Sequence, residues 1–185
     1  LGAPPGGWLP GHWIGFVPLL VLVRRPGVTP RQAAVLGLVG GMGIGLVGFP
    51  WIAELLIRFA GMPGPVGVLG CVLFAFWMAI PYSLWALGLR LGPFVGAGSY
   101  VWPVVLFVAL QWGWPTLFPY TPLIGFAESP AWMQLAEWGG VSLLEAVVVA
   151  WGVAAARALT RPTLRAAGRD LGFVLLVPPL MLAYG

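Results

Sequence analysis

The stretch Ala33–Ile57, AAVLGLVGGMGIGLVGFPWIAELLI, decides the fold, and its first charge is Glu54. About 20 apolar residues in a helix cross the hydrocarbon core of a bilayer, so this stretch is long enough to do so. Gly37, Gly41 and Gly45 recur every four positions and share one helix face. The next apolar stretch repeats the pattern with Gly67, Cys71, Ala75 and Ala79. Lipid gives helices no hydrophobic reason to associate, and small residues at this spacing let two backbones approach closely. The two stretches are expected to form a tight antiparallel pair. Cys71 then needs no role beyond that of a small packing residue.

The rest of the chain extends this reading. It is 60% hydrophobic and 8% charged, with a mean hydropathy of +0.96. Soluble domains carry about 25% charged residues, so a water-facing surface cannot be assembled from this inventory. The expected fold class is all-α, a polytopic transmembrane helix bundle of about six spans. They are read at 8–23, 33–57, 66–89, 93–114, 139–156 and 171–185. The first is short, and Pro10 and Pro18 interrupt it, which suits a tilted or partial crossing. The Gly and Pro content of Gly61–Pro65 marks a tight turn.

A net charge of +4 and a pI near 10.0 would suggest nucleic acid in a soluble protein. Here all nine basic residues are arginines beside apolar spans, so they read as topology signals and no nucleic-acid partner is expected. Alternating the connecting segments puts Arg24, Arg25, Arg31, Arg90, Arg157, Arg161, Arg165 and Arg169 on one side. Only Arg58 falls opposite, four residues from Glu54, where an i,i+4 pair could partly neutralise it. The positive-inside rule makes the arginine side cytoplasmic. Segments 58–65 and 115–138 then face the periplasm of a multi-pass inner-membrane protein. The chain opens at Leu1 and closes at Gly185 within an apolar run, so it reads as cut at both ends, with no signal peptide to infer.

With one His, one Cys and no Lys, the chain offers neither a metal-ligand spacing nor a hydrolytic constellation. No catalytic residue, metal or cofactor is expected from it. Gln111 and Glu145 are the intramembrane polar candidates. Glu145 lies about two turns inside its span, and intramembrane acids are costly enough to suggest function. The alternative is an acid held by hydrogen bonds near the interface. The segment 115–138 brings Phe118, Pro119, Tyr120, Phe126, Trp132 and Trp138 to the outer side, with Glu128 and Glu137 its charges. An aromatic belt anchoring helix ends accounts for such residues. A lipid-facing entrance is the functional alternative.

Five ordered stretches carry a family likeness. They are Trp13–Arg24 with Val17-Pro18-Leu19-Leu20, the glycine-rich span ending at Trp51, and Phe59-Ala60-Gly61-Met62-Pro63-Gly64-Pro65-Val66. Phe118-Pro119-Tyr120 with Gly125 follows, then Gln134-Leu135-Ala136-Glu137-Trp138-Gly139-Gly140-Val141. Together they resemble the membrane domain of apolipoprotein N-acyltransferases over residues 8–185. The resemblance implies transfer of an acyl chain from phospholipid to the N-terminal Cys of a diacylated lipoprotein. It implies a Glu-Lys-Cys triad in a nitrilase-like periplasmic domain after the last span, which these residues do not contain. That domain would act in cis or in trans. Trp51, Phe118, Pro119, Tyr120 and Glu128 are the implied lipid or substrate contacts. The sequence departs from the family at Gln111, where an acid is usual, and at Tyr120, where a Trp is usual. A small transporter subunit using Gln111 and Glu145, or an inactive membrane scaffold, are the alternative readings.

Overall fold

A computed structural model describes residues 9–93, 98–118, 120–128, 130–161 and 164–184. The helices are α1 (Leu9–Ile14), α2 (Val17–Val23), α3 (Pro30–Gly48), α4 (Trp51–Arg58), α5 (Gly64–Leu91), α6 (Gly98–Gly113), α7 (Pro130–Met133), α8 (Ala136–Thr160) and α9 (Leu164–Tyr184). A 3-10 segment, Ile124–Glu128, precedes α7, and no strand occurs among the described residues. Among the described residues, four helices are long and apolar enough to cross a membrane: Pro30–Gly48, Gly64–Leu91, Ala136–Thr160 and Ala167–Tyr184. Gly11–Val23 and Gly98–Gly113 are shorter and also apolar. The all-helical bundle is as expected.

Local chemistry sets the helix ends. Thr29 caps α3 in a reciprocal box: its hydroxyl accepts the Gln32 N–H at 3.3 Å, and its own N–H donates to Gln32 Oε1 at 2.8 Å. Pro30 follows at the first helical position, where a missing N–H costs nothing. The stretch read as one span over 33–57 is in fact two helices. Pro50 has no N–H to continue the ladder, so α3 stops at Gly48 and α4 restarts at Trp51. Gly61, with φ +65°, makes the turn expected after α4. Inside α8, Gly140 also has φ +65°, so the long helical run begins after it.

The α3–α5 pair is the tightest junction. A Cβ on Gly37 would stand 2.3 Å from the Tyr82 carbonyl oxygen, and one on Gly41 or Gly45 would stand 2.7 or 2.9 Å from the Cα of Ala79 or Ala75. The pairing runs 37 with 82, 41 with 79 and 45 with 75, so the helices are antiparallel and in backbone contact, as their spacing predicts. Cys71 is buried in the same region. Around this pair, α5 also packs on α4 and α6, α8 packs on α6 and α9, and α2 touches α3, α5 and α8. The short α2 therefore lies inside the bundle, with Leu20 and Val23 fully buried.

Prolines within helices leave carbonyls without a partner four residues earlier, and lipid offers no water to satisfy them. Pro103 frees the Ser99 carbonyl, which accepts from Arg24 Nη2 at 3.1 Å. Pro178 frees the Val174 carbonyl, which accepts from the Trp151 indole at 2.8 Å. The same end of the bundle that holds Arg24 carries a wider ionic cluster. Arg157 Nη1 donates to Ser99 Oγ at 2.6 Å, and its Nε lies 3.6 Å from the Asp170 carboxylate. Arg161 approaches that carboxylate at 3.8 Å, and the Tyr100 hydroxyl donates to it. The Glu54–Arg58 pair expected from the sequence does not form, and the ion pairs among the described residues all end on Asp170.

A Cβ on Gly43 would meet nothing within 4 Å, whereas one on Gly37 would run into backbone. Gly37→Ala is expected to cost about 1–3 kcal/mol, because backbone cannot swing aside as a side chain would. Gly43→Ala should be neutral or slightly favourable. Thermal unfolding of the two variants in one detergent checks the contrast, and equal midpoints would refute it.

Candidate functional site

The end of the bundle opposite the cluster of Arg24, Arg157, Arg161 and Arg169 gathers most of the residues singled out in the sequence. Phe49, at the break between α3 and α4, is buried and carries the arrangement. Its ring lies 5.3 Å from Phe74, 5.7 Å from Phe118, 4.9 Å from Tyr120 and 6.4 Å from Trp51. Phe118 stacks on Phe74 at 5.5 Å and lies 5.8 Å from Trp51. Such ring pairs add about 0.5–1.5 kcal/mol each beyond area burial. The backbone cause is Pro50: by ending α3, it turns Phe49 inward while leaving Trp51 partly exposed at the rim. Ile52 and Met78 complete the apolar floor, and Cys71 Sγ sits 3.6 Å from the Phe49 carbonyl.

Beside the aromatic cluster lies a polar group. Glu145, 5% exposed, accepts from the Thr121 hydroxyl at 2.8 Å. Thr121 Oγ in turn accepts the Leu123 N–H at 3.2 Å, which ties the loop after α6 to α8. The buried Tyr82 hydroxyl lies near Gln111, Tyr120 and Glu145 and makes no hydrogen bond to any of them. Gln111 and Glu145, far apart in sequence, therefore both lie near one buried tyrosine. Trp51, Phe118 and Tyr120 likewise meet in one cluster. Pro119 lies outside the described residues. Glu128 ends the 3-10 segment, and its side chain also lies outside them.

The belt reading of segment 115–138 needs correction for two residues. Phe126 is fully buried and Trp132 is 8% exposed. They stack at 5.6 Å, and Trp13 meets them at 6.0 and 5.5 Å, so this part of the loop is a plug in the bundle. His12 Nδ1 donates to the Pro122 carbonyl at 3.1 Å and steadies the same segment. Trp138, 75% exposed, remains at the surface, and its indole donates to the Tyr184 hydroxyl. Composition alone could not separate inward from outward aromatics here, because the loop lacks helical periodicity.

Phe49, Phe74, Tyr82 and Thr121 belong to this site, and sequence reasoning does not single them out. A signal for Phe49 exists, since it directly precedes the proline that breaks the helix. Among the described residues no group of three or more His, Cys, Asp or Glu could hold a metal. The one thiol is buried under aromatic rings. The arrangement offers apolar and aromatic contact with a neutral-to-acidic polar margin, which is the chemistry of binding.

A model of the apolipoprotein N-acyltransferase N-terminal domain family matches residues 1–154. The chain is 30% identical over 146 residues to the apolipoprotein N-acyltransferase of Nitrosomonas europaea, a match covering 72% of this chain and 28% of that protein. The chain thus spans well under two thirds of that relative's length. No solved structure matches it.

Thr121→Val is expected to leave a buried Glu145 oxygen without its donor, at a cost of about 1–3 kcal/mol. Thr121→Ser keeps the hydroxyl and should unfold close to the parent. Equal unfolding midpoints for the valine and serine variants would show that this bond does not hold the loop.

Proposed function

The chain belongs to the apolipoprotein N-acyltransferase family, and from that premise we propose that it forms the membrane-embedded access platform of an acyltransferase. The platform guides phospholipid and diacylated lipoprotein to a nitrilase-like catalytic domain supplied in cis or in trans. The overall reaction moves an acyl chain from phospholipid to the N-terminal Cys of the lipoprotein. In this proposal the arginine end is cytoplasmic in the inner membrane, and segments 58–65 and 115–138 are periplasmic. Gln111 and Glu145 form the polar margin that meets a headgroup or glycerol ester.

One observation carries the reading: Trp51, Phe118 and Tyr120 converge on Phe49 at the end away from the Asp170 arginine cluster. Trp51 stands 39% exposed at the rim while Phe49 closes the floor, so an acyl chain in the bilayer would meet a graded aromatic surface. Aromatic rings at such a boundary pair an apolar body with a polar edge, which suits a lipid's ester region. The acyl-transfer step needs a nucleophile with a base and an oxyanion donor. The Lys of the family triad is absent from these 185 residues, so the platform role is binding and positioning.

Lipoproteins of cells lacking the full gene are expected to stay diacylated by mass spectrometry, and unchanged triacylation would overturn the assignment. In cells complemented with the gene, Phe118→Ala should slow triacylation about tenfold, the equivalent of removing one buried ring contact from a bound lipid. Leu175→Ala, on the outer face of α9, should leave the rate unchanged. A matching loss at both positions would mean that the aromatic cluster has no special part in access.

A further inference from the structure

The arginine end holds more structure than a topology signal requires. A positive-inside bias needs only charge near the membrane surface. Here Arg24 and Arg157 converge on Ser99, one on its carbonyl at 3.1 Å and one on its hydroxyl at 2.6 Å. The two guanidiniums are close enough to repel. Arg157 also lies 4.1 Å above the Tyr100 ring, and Arg169 lies 5.8 Å from the same ring. Asp170, 3% exposed, is the single carboxylate facing Arg157 and Arg161 among the described residues. Arg157, Arg161 and Arg169 therefore face one acid, an excess of two positive charges in a partly buried cluster.

The exposures are ordered. The side chain of Asp170 is 3% exposed, that of Arg157 14% and that of Arg161 36%, while Arg169 is on the surface. The inner arginines are engaged by Ser99 and Asp170, and the outer ones, Arg161 and Arg169, are exposed. The Tyr100 ring makes cation–π contact with both Arg157 and Arg169. Guanidinium forks match phosphate oxygens in paired hydrogen bonds, and basic pockets between membrane helices bind anionic headgroups. The anion present at fixed depth beside such helix ends is the phosphodiester of a membrane lipid.

We infer that Arg161 and Arg169, set on Tyr100 and Arg157 at the junction of α6, α8 and α9, bind the phosphodiester of an anionic phospholipid. This site lies at the opposite end from the proposed access platform and does not depend on it. A lipid seated there neutralises the charge excess and clamps the α8–α9 hairpin to the start of α6. A zwitterionic lipid brings its own cation and compensates less.

The test uses the full chain in detergent, with unfolding followed after adding dioleoylphosphatidylglycerol, dioleoylphosphatidylcholine or inorganic phosphate. Phosphatidylglycerol is expected to raise the midpoint by about 3 °C or more, and the other two are not. An equal rise with inorganic phosphate would make this a free-phosphate site and overturn the lipid assignment. Arg169→Gln, on an exposed position that should fold normally, is expected to remove at least half of the phosphatidylglycerol shift, and Arg161→Gln with Arg169→Gln nearly all of it. The double variant Arg25→Gln with Arg31→Gln removes two exposed arginines outside the cluster and should keep the shift. If it loses as much as the cluster variants, the effect is general attraction and the site is refuted. Native mass spectrometry gives a second readout: retained phosphatidylglycerol should fall in the Arg169→Gln protein, and unchanged retention would also refute the site.

Discussion

Backbone contact between α3 and α5 is the constraint on which the other packing depends. Apolar side chains gain nothing by leaving lipid for one another, so close approach has to supply the attraction through van der Waals contact. Gly37, Gly41 and Gly45 provide it by having no side chains to hold Tyr82, Ala79 and Ala75 away. Ser83 adds a hydrogen bond to the Ala34 carbonyl at 2.9 Å on the same seam. With α5 fixed against α3, its far side presents Trp85 and Leu89 to α6 and α2, and the buried core forms there. The aromatic cluster depends on the same seam, because Phe49 and Phe74 meet only when Gly45 lies on Ala75.

The bundle also shows how polar groups are managed without water. Several buried donors and acceptors are matched across helices: Arg24 to the carbonyl freed by Pro103, Trp151 to the one freed by Pro178, Thr121 to Glu145. Arginine and tryptophan are well suited to this, since both extend a donor on a largely apolar stem or ring. The two ends then differ in kind. One is ionic, with guanidiniums crowded on Asp170; the other is aromatic, with the buried Glu145 held by a threonine.

Much of this is legible in the sequence, and the reasons for the exceptions are physical. The glycine–alanine seam can be read because it depends on spacing and residue size alone, which sequence reports directly. The meeting of Trp51, Phe118 and Tyr120 is anticipated only as a shared outer surface, from a family likeness. The break at Pro50 escapes a hydropathy reading because hydropathy stays high across it, while the backbone obeys the missing N–H. Phe126 and Trp132 read as surface aromatics, since a loop without periodicity carries no signal for which way a ring faces. The arginines at 157 and 161 read as topology marks. Asp170, the acid that organises them, falls just before the span read at 171–185, where one charge looks ordinary.

The repair of the proline defects has a temporal side. The Ser99 carbonyl waits for a donor that lies 75 residues earlier in the chain, and the Val174 carbonyl for one 23 residues earlier. A chain leaves the ribosome from its N-terminus, so in both cases the donor is made before the acceptor that needs it. Helices α6 and α9 thus reach the membrane after the residues that will satisfy them. Each could insert into a bundle already furnished with its missing hydrogen bond, and the order of synthesis would itself protect the growing protein from exposed backbone in lipid.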